Sequence, residues 1–395
     1  SQPPIIGLLN LFVDPDYGDT FLTNSKFTSF ADGLNANDLN AWGLSLTVDW
    51  DIGRWAVKSI TSYRDMEAPN AADADGSIYT IIDADALFRQ EQFSQELQVS
   101  GLAFEGRLNW VAGFFYFEEE ASSELTAIVF RELKDIIGLD LSATTNEGAD
   151  AQSYAAFGQG TYALTDKLSL TGGLRYTHEK KEVAREQLFH FSGLVRVPRD
   201  SRSGNWDAVS GRAGFEYRWN DDVMTYASAA RGFKSGGING RSVSSDDFVP
   251  FDPEFVWTYE VGLRSDLLDR RLRFHASLFY SDYKDIQFLV TRVSPLAEPI
   301  TVVDNAAKAR VKGFEVDVVA APAPGLTLTV GVGLTDAEYT KVDPGSPITE
   351  DSKFVKVPKW TVTLSGQYAA PMNDWGELIG RLDYVYKTKV YHDVL

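Results

Sequence analysis

The residues best placed to do chemistry in this chain are four aspartates in one short stretch: Asp73, Asp75, Asp83 and Asp85. The run Asp73-Ala74-Asp75-Gly76 resembles the start of a calcium loop, where a hard cation gathers carboxylate oxygens and a glycine permits the sharp turn. The remaining spacing and a terminal bidentate glutamate are missing, so a solvated acidic loop is the competing reading. The four histidines, His178, His190, His275 and His392, are scattered, and none forms a metal pair at helical spacing. There is no Gly-x-Ser-x-Gly elbow and no glycine loop ending in Gly-Lys. Ser235-Gly236-Gly237 is glycine-rich but lies where a strand runs into a loop, so a phosphate role there has little support. With no cysteine, neither a disulfide framework nor a thiolate metal site can form. We expect no enzymatic activity, and no cofactor beyond a calcium ion in the aspartate loop.

The elements that must position these residues follow a rhythm. Leu272, Phe274, Ala276, Leu278 and Tyr280 interleave with Arg271, Arg273, His275, Ser277 and Ser281. Trp257, Tyr259, Val261 and Leu263 interleave with Thr258, Glu260, Gly262 and Arg264. Strict alternation over ten residues puts one face in oil and the other in polar surroundings. Ten residues is long for a globular strand and suits a tilted strand crossing a bilayer. The pattern predicts fourteen strands: 42–51, 54–66, 90–100, 107–119, 151–163, 167–180, 206–219, 223–234, 255–265, 271–285, 309–319, 326–339, 358–369 and 376–388. Short links alternate with long ones, 67–89, 120–150, 181–205, 235–254, 286–308 and 340–357. Tight turns on one side and large loops on the other are the mark of a transmembrane barrel. A soluble sandwich or propeller would have shorter strands and no such alternation.

The fold class expected is therefore all-β, a large antiparallel transmembrane β-barrel over 42–395, preceded by a loop-rich segment, 1–41, with a strand fragment near Ile5–Val13. Trp257, Tyr259, Leu272, Phe274, Leu278, Leu328 and Val330 should face outward, and Glu260, Arg264 and Arg273 inward. The chain holds 9 Trp, 17 Tyr and 24 Phe, in keeping with aromatic belts at two membrane interfaces. No run of 18 apolar residues exists to form a transmembrane helix. A net charge of −19 argues against nucleic acid as a partner.

Several segments resemble the barrel of TonB-dependent outer-membrane receptors. The clearest are Ala227-Ser228-Ala229-Ala230-Arg231-Gly232-Phe233-Lys234-Ser235-Gly236-Gly237, Phe251-Asp252-Pro253-Glu254 and Tyr259-Glu260-Val261-Gly262-Leu263-Arg264. Phe93-Ser94-Gln95-Glu96-Leu97-Gln98, Gly172-Gly173-Leu174-Arg175-Tyr176 and Lys312-Gly313-Phe314-Glu315 are similar to other recurrent segments of that barrel. The resemblance implies a 22-stranded barrel filled by an N-terminal plug. Neither a plug nor a TonB-contacting box is recognisable in this sequence. Six strands before Trp42 and two after the fourteenth would complete the count, so we expect an internal piece of a longer receptor. The edges of 42–51 and 376–388 should then not pair with each other.

By the same resemblance, the function expected is import of a scarce ligand (a siderophore, haem, cobalamin or glycan) across a Gram-negative outer membrane. Energy would come from TonB and the inner-membrane complex, acting through the plug. Arg175, Arg231, Glu260, Arg264, Glu315, Asp317, Arg381 and Asp383 should face the lumen and the plug. Ligand contacts are expected in outer loops, with Phe130, Phe189, Phe248 and Phe251 as candidates. The stretch Arg175–Arg202, with seven basic residues against four acidic ones, is either a rim for lipid and lipopolysaccharide phosphates or an ordinary charged loop. Two alternatives stay open: a passive porin-like channel, and a structural outer-membrane partner in a larger assembly.

Overall fold

The computed structural model describes residues 27–76, 78–190, 195–240, 248–293, 299–344, 346 and 348–392. The chain runs through β1 (Ala36–Asn37), β2 (Asn40–Ile52), β3 (Trp55–Asp73), β4 (Ile82–Ala103) and β5 (Leu108–Val129). A short helix, α1 (Arg131–Ile137), follows. Then come β6 (Ala143–Ala163), β7 (Leu168–Phe189), β8 (Val195–Arg218), β9 (Val223–Lys234), β10 (Gly237–Ile238) and β11 (Pro250–Phe251). The last stretch holds β12 (Glu254–Leu267), β13 (Leu272–Val293), β14 (Pro299–Ala323), β15 (Leu326–Val342), β16 (Trp360–Pro371) and β17 (Glu377–Lys387). Among the described residues, fifteen of these strands form one sheet and β10–β11 form a separate ribbon. Every pairing in the large sheet is antiparallel, and its long strands neighbour one another in sequence order. Each expected strand coincides with one of the fourteen long ones. The fragment expected near Ile5–Val13 lies outside the described residues.

The strands are longer than the alternation predicts. β4, β5, β7 and β13 have 22 residues and β14 has 25. Much of the links 67–89, 120–150, 181–205 and 286–308 is upward continuation of the sheet, while 340–357 leaves it after Val342. The reason is physical. Lipid on one face imposes the alternation; above the membrane neither face meets lipid, so the signal weakens while the backbone ladder continues.

Cross-strand register sorts the side chains into two faces. One carries Leu44, Leu46, Val48, Val261, Leu278, Leu328, Leu364 and Leu382, all well exposed. Trp42 and Trp50 bracket this band on β2, eight residues or about 26 Å apart along the strand. Such an exposed apolar belt is a liability in water and a requirement in lipid. Trp257, Tyr259, Leu272, Phe274, Leu278, Leu328 and Val330 lie on this face, with Glu260, Arg264 and Arg273 on the other. Among the described residues no helix is long and apolar enough to cross a membrane. No pairing joins β2 to β17 there, so the sheet has two edges.

Candidate functional site

The polar face is a wall of charge and flattened rings. Register places Arg175, Glu260, Arg264, Glu315, Asp317, Arg381 and Asp383 on it. The Arg175 guanidinium lies over Phe115 and Phe157, 5.3 and 5.7 Å from the ring centres. The Tyr226 hydroxyl donates to Glu260 Oε1 at 2.5 Å, and Arg264 stacks 5.3 Å above the same ring. Arg381 donates to both oxygens of Asp383, at 2.9 Å each.

Arg231 corrects the expectation. It pairs with Trp257 and Gly211, on the apolar-belt face, not the polar one. It donates to the Val209 carbonyl at 2.7 Å and lies 4.3 Å over the Phe255 ring. This is a snorkelled arginine whose head finds a carbonyl and a ring at the belt's aromatic edge. The small residues around it, Ala227 to Gly232, carry no alternation, so nothing local revealed which way it points.

A second feature went unread. Gly113, Gly262 and Gly313, all on the polar face, sit directly opposite Phe157, Tyr226 and Phe279. In each pair the ring occupies the place of the missing side chain. The glycines let the aromatics lie flat against the wall. The only hint in the sequence was glycine within recurrent strand motifs; the partner ring comes from another strand.

Residues 235–240 and 248–254 fold over the upper polar wall. Gly236 approaches the Trp206 indole and the Phe251 carbonyl so closely that no Cβ would fit, and Gly237 lies against the Phe251 ring. These glycines serve close packing, not a phosphate cradle. Lys181 donates to the Gly236 carbonyl at 2.8 Å and Arg185 to that of Gly240 at 2.5 Å, so part of the basic stretch Arg175–Arg202 anchors this loop. Asn239 then mimics a strand against β14. Its Oδ1 accepts from Val303 N–H at 2.6 Å, and its Nδ2 donates to the Val303 carbonyl at 2.9 Å. Asn239 is buried, so Asn239→Ala should cost this attachment about 1–3 kcal/mol. Limited proteolysis should then nick 235–254 about tenfold faster or more, with the rest of the barrel still resistant.

Phe130 and Phe248 also differ from expectation. Both are buried: Phe130 among Ile81, Val129, Leu139 and Leu141, and Phe248 beside Trp206 and Ile238. They build loop cores and present no surface to a ligand. Phe251 packs on Gly237, and Phe189 ends β7 opposite Ala143.

Asp73, Asp75 and Asp83 come together, each offering an oxygen within 4.8 Å of the others. Asp73 Oδ1 accepts from the N–H of Gly76 at 2.7 Å and of Asp75 at 3.1 Å; Oδ2 accepts from Gly33 N–H at 3.1 Å. Burial pushes the Asp73 carboxyl up, but these backbone donors outweigh it and hold it below its ordinary value. Asp83 is raised by burial and by Asp73, with Arg131 opposing. Asp85 lies outside the group, exposed two residues along β4. Asp32 and Glu132, missed in the sequence, adjoin the cluster electrostatically.

A strand wall with an apolar belt, a charged opposite face and loop segments folded over one end is the architecture of a membrane β-barrel wall. The family model for the β-barrel of TonB dependent receptor-like proteins matches residues 7–395, and the chain belongs to that family. The pesticin receptor of Yersinia pestis is 30% identical over 190 residues, 48% of this chain and 27% of that protein. PiuA of Acinetobacter baumannii, a probable TonB-dependent siderophore receptor, is 25% identical over 268 residues, 64% of this chain and 34% of its own. The crystal structure of the ferric yersiniabactin uptake receptor FyuA from Yersinia pestis matches with a TM-score of 0.77 at 20% identity, covering 92% of this chain and 52% of that one. The matches thus cover about a third or less of these curated relatives and about half of the FyuA chain.

Proposed function

We propose that this barrel belongs to an outer-membrane receptor that imports a scarce metal chelate of the siderophore class, driven by TonB through a plug domain. The observation that carries this reading is membership of the receptor family together with a relative described as a probable TonB-dependent siderophore receptor, PiuA. The wall is consistent with it. Arg175, which lies over two rings, would offer a guanidinium to the carboxylates or phenolates of a chelate. The folded-in loops would receive the ligand from outside the cell.

The full-length protein should be produced in a Gram-negative host stripped of its own siderophore receptors. Uptake of iron-55 carried by a panel of siderophores is then measured. At least one chelate should enter at a saturable rate that disappears in a strain lacking TonB. Entry that is linear in concentration and indifferent to TonB would establish the passive channel instead.

A further inference from the structure

We propose that Asp73, Asp75 and Asp83 bind a calcium ion that ties together residues 28–35, the β3–β4 loop and the start of α1. The ligand oxygens lie within 4.8 Å of one another. Oxygens bound to one calcium at 2.3–2.6 Å can stand up to about 5 Å apart, so an ion of that size fits between them. All the donors are hard carboxylate oxygens, the class that calcium selects.

A second observation points to a ligand. Asp83 is only 6% exposed, yet its Oδ1 has no hydrogen-bond partner, while Oδ2 accepts from Arg131 at 3.3 Å. Glu132 Oε2, from the neighbouring helix, is also buried without a partner but stands outside the three converging oxygens, its Oε1 accepting from Thr80 N–H at 2.8 Å. A buried carboxylate oxygen left unmatched is costly, and a cation removes the cost. Gly33 lies directly over the group: a Cβ there would come 2.9 Å from Asp83 Oδ1. The N–H bonds from Gly33, Asp75 and Gly76 hold the Asp73 carboxylate in place beside Asp83. The inference rests on these residues alone and holds whatever the receptor imports.

The full-length receptor, purified in detergent and stripped with EGTA, is titrated with calcium chloride by calorimetry. Wild type should bind one calcium ion more than Asp83→Asn, or bind it at least tenfold more tightly, and Asp85→Asn should match wild type. Calcium should also slow proteolysis of the 74–81 loop in wild type and not in Asp83→Asn. If Asp83→Asn fails to fold, Asp75→Asn, at a less buried position, carries the same comparison. Isotherms that superimpose for wild type and these variants, or no binding at millimolar calcium, would overturn the proposal.

Discussion

Replacing Leu278 with arginine should destabilise the barrel in a bilayer by about 2–4 kcal/mol, the cost of a cationic side chain on the lipid face near mid-membrane. Leu278 stands between Val261 and Phe314, is 59% exposed, and lies inside the apolar band. The adjacent Ser277 looks the other way, between Gly262 and Glu315. Ser277→Arg should therefore cost little, since its charge enters a polar interior beside a carboxylate. The full-length receptor folded into phospholipid vesicles, titrated with denaturant and followed by tryptophan fluorescence, gives both values. Equal costs, or the reverse order, would show a register wrong by one residue, since such a slip exchanges the two faces of every strand.

Gly313→Val should cost about 3 kcal/mol, near the top of the usual range for overpacking. A Cβ at Gly313 would collide with the Leu334 carbonyl on β15 and press on the Phe279 ring on β13. The backbone carbonyl cannot rotate away, so two strand pairings must part. Gly333→Ala on the same face is the control. It has open space at its Cβ position and should be neutral or gain a few tenths of a kcal/mol from reduced unfolded-state freedom. The same titration measures both. A tolerated Gly313→Val would mean that the wall can flex where the structure makes it tight.

These two expectations divide along what could be read from sequence. The faces of β12, β13 and β15 were legible because lipid on one side and polar interior on the other impose a two-residue period. The fourteen strands follow from that period. The upper sheet was not legible, because β7 beyond Lys180 and β8 from Arg199 to Asn205 carry polar residues on both faces. Arg231 was misread for a related reason: its neighbours are too small to show a side. The glycine–ring pairs need a cross-strand register that one strand cannot supply. Of the aspartate group, the local run Asp73 to Asp83 was visible. Gly33 and Glu132 join it from some 40 to 60 residues away in sequence. The buried Phe130 and Phe248 show a further limit, since an aromatic in a loop reads the same whether it greets a ligand or fills a loop core.

The length of the strands sets where a first encounter takes place. A 25-residue strand such as β14 rises about 60 Å at the tilt usual in barrels, while the apolar band needs only about 25 Å. The rim therefore stands roughly 3 nm clear of the oil, in salt water with a screening length of about 8 Å. At that height the overall charge of −19 reaches an approaching anion only weakly. A negatively charged solute meeting that rim would feel mainly the guanidinium or ring it touches, and little of this chain's net charge.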